Sequence, residues 1–244
     1  MSEKKSAILT YHSLDNSGSR ISISPSRFRD HLRALAASGF RVVPLANVRD
    51  RAGSIAITFD DGYSNFLTEA LPLLNHYRMP ATVFIVSGFC GGYNEWPSRV
   101  HGLPRLRLLN WDEVREVSRF GATIGAHTVH HANLADASRA EAEREMRECK
   151  RAIEDRIGLP VGTFAYPYGA AAAAVRDLAK REFHLACGTR LRFTDSRSDP
   201  FDLPRIDAGY LRRPFWMANL GTPAGAAYIA ACGGLDALRR ATVR

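Results

Sequence analysis

The stretch Ser54-Ile-Ala-Ile-Thr-Phe59 is a continuous apolar run that stops at two adjacent carboxylates, Asp60 and Asp61, and a glycine, Gly62. An apolar run of this kind without polar alternation reads as a strand buried on both faces, which places it in a parallel sheet covered by helices. The chain repeats the theme. Ala7–Tyr11, Phe40–Val43, Ala81–Val86, Ala122–Ile124, Val161–Ala165 and His184–Cys187 read as further strands. Between them lie helical periodicities: Phe28, Leu32 and Leu35 after a Ser24-Pro25 start, then Asn65–Tyr77, Trp111–Val117, Ala135–Ile157 and Ala171–Arg181. Strands alternating with helices imply crossover connections and an α/β fold. In such folds ligands gather at the carboxyl ends of the strands, which is where Asp60 and Asp61 fall.

Residues 87–110 interrupt this rhythm with Gly88, Gly91, Gly92, Tyr93, Trp96, Pro97 and Pro104, a loop of a length that usually serves a site. Pro214–Leu220 and Ala224–Arg240 read as Ala- and Gly-rich helices. The 244 residues suffice for one domain with a full core, and no repeat or low-complexity linker divides them. A single domain over 1–244 is expected. The formal charge of +8 is dispersed rather than gathered in a basic block, which argues against nucleic acid and fits an anionic partner or a transient membrane-surface contact. The N-terminal apolar run is too short for a signal peptide, and no stretch is long enough to span a membrane, so a cytoplasmic protein is expected. Cys90, Cys149, Cys187 and Cys232 lie far apart without a CxxC pair, and free buried thiols are expected.

Two neighbouring Asp residues resist burial unless a metal or a proton relieves their charge. Alone, Asp-Asp-Gly reads first as a polar turn capping the next helix. A second cluster, His127-Thr-Val-His130-His131, follows the strand at 122–124. His127 and His131 are four apart, and on a helical turn both would face one metal ion. A zinc-like ion needs a third protein ligand, which Asp60 or Asp61 can supply. The carboxylate left over could then take a proton from a bound water. Histidines that only cap a loop are the structural alternative.

These motifs resemble those of the polysaccharide deacetylases of carbohydrate esterase family 4, which share the NodB homology domain. The family's T-F-D-D-G is Thr58–Gly62 here, its H-[ST]-x-x-H is His127–His131, and its R-x-P-Y appears as Ala165-Tyr-Pro-Tyr168, without the arginine. The resemblance implies an α/β distorted barrel of about seven parallel strands, with a core over about 7–207 and a helical extension over about 208–244. It implies Asp61, His127 and His131 as ligands of a divalent metal, Zn2+ first and Co2+, Ni2+ or Mn2+ as alternatives. It further implies Asp60 as general base, with the Tyr168 backbone N–H facing the oxyanion. Arg205, in Leu203-Pro-Arg-Ile206, is the candidate for the missing arginine. The family's late L-x-H histidine is also absent, because no histidine follows His184. Tyr11-His12 matches the early Y-H of members resembling poly-N-acetylglucosamine deacetylases, which makes His12 the candidate general acid. Tyr93, Trp96 and Trp111 are candidates for a wall against a sugar ring. The implied partner is an N-acetylated sugar or glycoconjugate, and the implied reaction removes its N-acetyl group. A non-sugar amide, an O-acetyl ester, or a binding protein without catalysis are the other readings.

Overall fold

The computed structural model describes residues 5–97, 99, 101–169 and 171–242; Met1–Lys4, part of the stretch read for a leader, lies outside them. Its strands are β1 (Ala7–Tyr11), β2 (Ser13–Leu14), β3 (Ser22–Ile23), β4 (Arg41–Val42), β5 (Ser54–Phe59), β6 (Ala81–Ile85), β7 (Thr123–Ala126), β8 (Thr163–Ala165), β9 (Leu185–Cys187) and β10 (Ile206–Asp207). Its α-helices are α1 (Pro25–Ala37), α2 (Leu71–Tyr77), α3 (Trp111–Arg119), α4 (Arg139–Ile157), α5 (Ala173–Glu182), α6 (Pro214–Ala218) and α7 (Pro223–Thr242). The principal sheet runs β10-β1-β5-β6-β7-β8-β9, every pair parallel, with β4 on the first two residues of β5. Leu203 bridges Cys187 of β9, and Ile206 pairs with Leu9 of β1. One short segment therefore touches both ends of the sheet and curls it into a distorted barrel.

Side chains of β1, β5 and β6 are buried without exception, as their largely apolar sequences require. Alternation along the strands divides them. Ile8, Ala56, Phe84, Ala165, Cys187 and Leu203 form an inner cluster. Leu9, Ile57, Val83, Ile124 and Phe164 belong to the larger core beneath the helices. The inward series on β5 passes through Ala56 and Thr58, and the next member is Asp60. The period-2 rule thus delivers a carboxylate to the mouth of the barrel. The register Tyr11↔Phe59 places His12 beside it.

Gly125, on β7, has no room for a side chain. A Cβ there would stand 2.5 Å from Phe84 Cδ1 and 2.6 Å from Thr163 Oγ1. Gly125→Ala is expected to destabilise the fold by roughly 1–3 kcal/mol through overpacking, read from denaturant unfolding. An unchanged midpoint would show that the wall can relax.

Local chemistry explains the departures from the sequence reading. The helix expected over 65–77 begins as a π-helical turn, Phe66–Ala70, before α2. Pro72 has no N–H to give the preceding turn, so the ladder restarts there. The helix expected from Ala135 begins at Arg139, because Ser138 and Glu141 form a capping box. All four cysteines are free, although Cys90 and Cys232 are only partly buried. Among the described residues no helix is long and apolar enough to cross a membrane.

Candidate active site

Asp60 continues the β5 ladder by donating its N–H to the Tyr11 carbonyl at 2.9 Å. Asp61 would then face away, but its backbone is left-handed, with φ of 72°. That turn brings both carboxylates to one cleft of about 580 Å³, which His12, Trp96, His127, His131 and Tyr168 also line. A second cavity of about 520 Å³ lies among Arg49, Arg51, Arg192 and Thr194 and holds none of the candidate residues.

The two carboxylates have different partners. Arg205 donates from Nη1 to Asp60 Oδ1 and from Nη2 to Oδ2, both at 2.7 Å, and from Nε to the Gly188 carbonyl at 2.8 Å. Both side chains are buried, so this bidentate pair is screened little by solvent. Burial pushes the Asp60 carboxyl up; the Arg205 guanidinium, by its charge and its hydrogen bonds, leads the influences that outweigh that and hold it below the usual carboxylate range. Arg205 reaches this point because Leu203–Asp207 is the segment that joins the two ends of the sheet.

Asp61 instead faces two imidazoles. Its Oδ1 lies 3.3 Å from His127 Nε2 and 3.2 Å from His131 Nε2. His127 Nδ1 pairs with the Ala165 carbonyl at 2.8 Å, and a carbonyl can only accept. The proton of a neutral His127 therefore sits on Nδ1, which turns the Nε2 lone pair toward Asp61. Asp61 Oδ1 is buried and has no hydrogen-bond partner among the described residues. Burial raises the Asp61 carboxyl, yet His131 and His127 hold it well below the usual range. Burial lowers His131 and thereby favours its neutral, ligating form, with Asp61 opposing. A buried carboxylate oxygen without a donor, facing imidazole nitrogens within 4.8 Å of one another, is a donor set that a divalent cation satisfies.

The His127–His131 stretch is not the helical turn that its spacing suggested. His127 extends β7 by donating its N–H to the Ile85 carbonyl, and the chain then passes through left-handed Thr128 (φ 65°) and His131 (φ 53°). The turn still converges the two rings, at 5.0 Å between centroids. Tyr168 is also left-handed, with φ of 59°, and its hydroxyl lies 3.0 Å from His131 Nδ1. Of the three aromatic candidates only Trp96 reaches the cleft, buried and stacked on His131 at 4.3 Å. Tyr93 sits outside beneath the Arg105 guanidinium, because its bridge to Arg107 fixes it on the outer arm of the loop. Trp111 starts α3 and packs on the main core, with Arg156 over its ring. Sequence reasoning missed Arg20, Tyr210 and Arg212 on the opposite rim. For Tyr210 and Arg212 the signal was β10: a strand ending at Asp207 beside β1 must deliver the next residues to the same mouth. Arg20 comes from the connection between β2 and β3, and its carbonyl accepts from the Arg212 guanidinium.

His127→Ala is expected to reduce bound divalent metal from one ion per chain toward none while the fold persists. Elemental analysis of the two proteins checks it, and equal content would remove His127 from the ligand set.

A family model described as polysaccharide deacetylase matches residues 47–182. The protein YxkH of Bacillus subtilis (strain 168) is 26% identical over 173 residues, which are 68% of this chain and 57% of that one. The poly-beta-1,6-N-acetyl-D-glucosamine N-deacetylase of Escherichia coli (strain K12) is 25% identical over 203 residues, covering 66% of this chain. The match takes in only 30% of that enzyme's length. The structure of IcaB from Ammonifex degensii superposes with a TM-score of 0.73 at 21% identity, over 88% of this chain and 97% of that one, a likeness of fold.

Proposed function

The chain belongs to the polysaccharide deacetylase family, and on that premise we propose that it removes the N-acetyl group from an N-acetylated amino sugar or its glycoconjugate, with a divalent metal, zinc first. The observation that carries this reading is the division of labour between adjacent carboxylates. Asp61 turns an unpartnered oxygen toward His127 and His131, whereas Asp60 is claimed by Arg205 in the same cleft. Two imidazoles and one carboxylate suit zinc, and such a set leaves positions for water and substrate. We read 7–207 as the catalytic core and 208–244 as an extension whose first turn adds Tyr210 and Arg212 to the rim. The early Tyr11-His12 pair supports a place near the poly-N-acetylglucosamine deacetylases, as does the likeness to the Escherichia coli enzyme of that name.

An ion held by Asp61, His127 and His131 would supply Lewis acidity toward an acyl oxygen and lower the pKa of a water. Asp60, kept ionised by Arg205, takes the proton of the attacking water. The Tyr168 backbone N–H faces the oxygen on which negative charge develops. His12 delivers a proton to the nitrogen as the C–N bond breaks, since an amine leaves poorly unless protonated. Trp96 closes one side of the cleft with an apolar face.

The test is an acetate-release screen of the metal-loaded protein across N-acetylated sugars of increasing length. Release confined to O-acetyl esters would transfer the reading to an esterase, and release from neither would leave a binding protein. His12→Ala is expected to lose amide turnover by about 10²-fold or more, yet to keep its metal and most of its activity on an activated acetate ester. Equal losses on both substrates would make His12 a binding residue. His130→Ala should change neither much, because its ring is turned onto Glu145.

A further inference from the structure

We propose that Glu145 is the positioning residue of the metal-binding turn, setting metal affinity through the backbone of Val129 and His130; this rests on the reading of Asp61, His127 and His131 as the ligands. Glu145 projects from α4, a different element from either carboxylate, and is buried. Its Oε2 accepts the N–H groups of Val129 and His130, each at 2.9 Å, and its Oε1 takes His130 Nδ1 at 2.6 Å. Successive backbone N–H groups converging on one oxygen make an anion nest, here filled by the protein's own carboxylate.

The turn needs such an anchor. Thr128 and His131, which flank the two nest residues, both have left-handed backbones, and a β-branched residue in that region is a strained exception. Strain of this kind persists only where the surroundings over-determine the conformation. On its other side the turn is gripped from the end of β6, where Ser87 and Gly88 donate to the Thr128 and Val129 carbonyls at 3.2 and 2.9 Å. Thr128 Oγ1 meanwhile accepts the Ala132 N–H at 3.2 Å. With its N–H groups on Glu145 and its carbonyls on Ser87 and Gly88, the segment between His127 and His131 is held from both faces. Releasing the Glu145 side lets Thr128 and His131 relax toward ordinary dihedrals, which swings the His131 ring away from Asp61. The His130 side chain is mostly exposed and faces Glu145, not the cleft; the anchor acts through the backbone N–H groups of Val129 and His130.

The experiment compares the wild type with Glu145→Ala, Glu145→Gln and Glu145→Asp by competitive chelator titration with Zn2+ and by the visible spectrum of the Co2+-loaded proteins. Glu145→Ala is expected to bind Zn2+ about 10–100-fold more weakly, with an altered Co2+ band, although circular dichroism stays that of the wild type. Glu145→Gln keeps a carbonyl oxygen for the two N–H groups and should recover most of the affinity. Glu145→Asp, one methylene shorter, cannot reach both and should behave like the alanine variant, which preserves the test should Glu145→Ala fail to fold. Alanine or aspartate variants with wild-type affinity and spectrum would overturn the proposal. A wild type that binds no metal would instead overturn the ligand assignment on which it rests.

Discussion

Asp60→Asn is expected to lower kcat by about 10²–10⁴-fold while the protein retains its metal. The expectation follows from where the two carboxylates stand. Asp61 directs an oxygen at the two imidazoles, whereas both oxygens of Asp60 are engaged by Arg205. On the proposed reading, removing the charge of Asp60 takes away a proton acceptor and leaves the ligand set intact. The same substitution faces an amide NH₂ toward one guanidinium N–H and strips Arg205 of its counter-charge in a buried site, so stability falls as well. The measurement is steady-state deacetylation with metal content and circular dichroism on the same sample, at a temperature where the variant remains folded. Turnover within a few-fold of the wild type would make Asp60 structural, and loss of the ion would mean that Asp60 belongs to the ligand set.

Most of what positions this chemistry was legible because it is local. An apolar run ending in Asp60-Asp61 and a strand ending in His127 announce themselves within a few residues, and strand periodicity alone carries Asp60 inward. The long-range features were less readable. Two-residue strands such as β10 contain too few positions to show a period, yet β10 decides that Tyr210 and Arg212 reach the mouth. Aromatic residues in an irregular loop have no period either, so Tyr93, Trp96 and Trp111 looked alike. Only the fold of the loop, with Asn94 bonded to Tyr63 Oη and the Pro104 carbonyl, buries Trp96 on His131 and leaves Tyr93 outside. The spacing of His127 and His131 suggested a helix because convergence was visible and backbone handedness was not. Glu145 was invisible as a partner, since its place on α4 relative to Val129 is a property of tertiary packing.

Arg205→Met is expected to destabilise the protein by roughly 3–5 kcal/mol, because it removes one member of a buried ion pair and strands the other. Asp60 is 4% exposed and Arg205 2% exposed, so water cannot take the place of the two lost bonds. Adding Asp60→Asn to Arg205→Met removes the stranded charge as well, and the double variant should recover a substantial part of the loss. The pH dependence separates this from a packing defect. In the wild type Asp60 is held below the usual carboxylate range, so the pair contributes stability above the unfolded-state pKa and loses it as pH falls through the lowered folded value. Without Arg205, burial is the largest influence remaining on Asp60 and acts to raise its pKa, which makes ionisation a cost that grows as pH rises. The stability gap between wild type and Arg205→Met should therefore open below about pH 4, where an unfolded aspartate titrates, as the wild-type pair ionises, and go on widening above it as the stranded carboxyl resists ionisation. Denaturant unfolding of the wild type, the two single variants and the double variant, repeated across that range, measures the coupling directly. A gap independent of pH, or a double variant whose loss equals the sum of the single losses, would show that Arg205 acts by filling space beneath the cleft and not through its charge on Asp60.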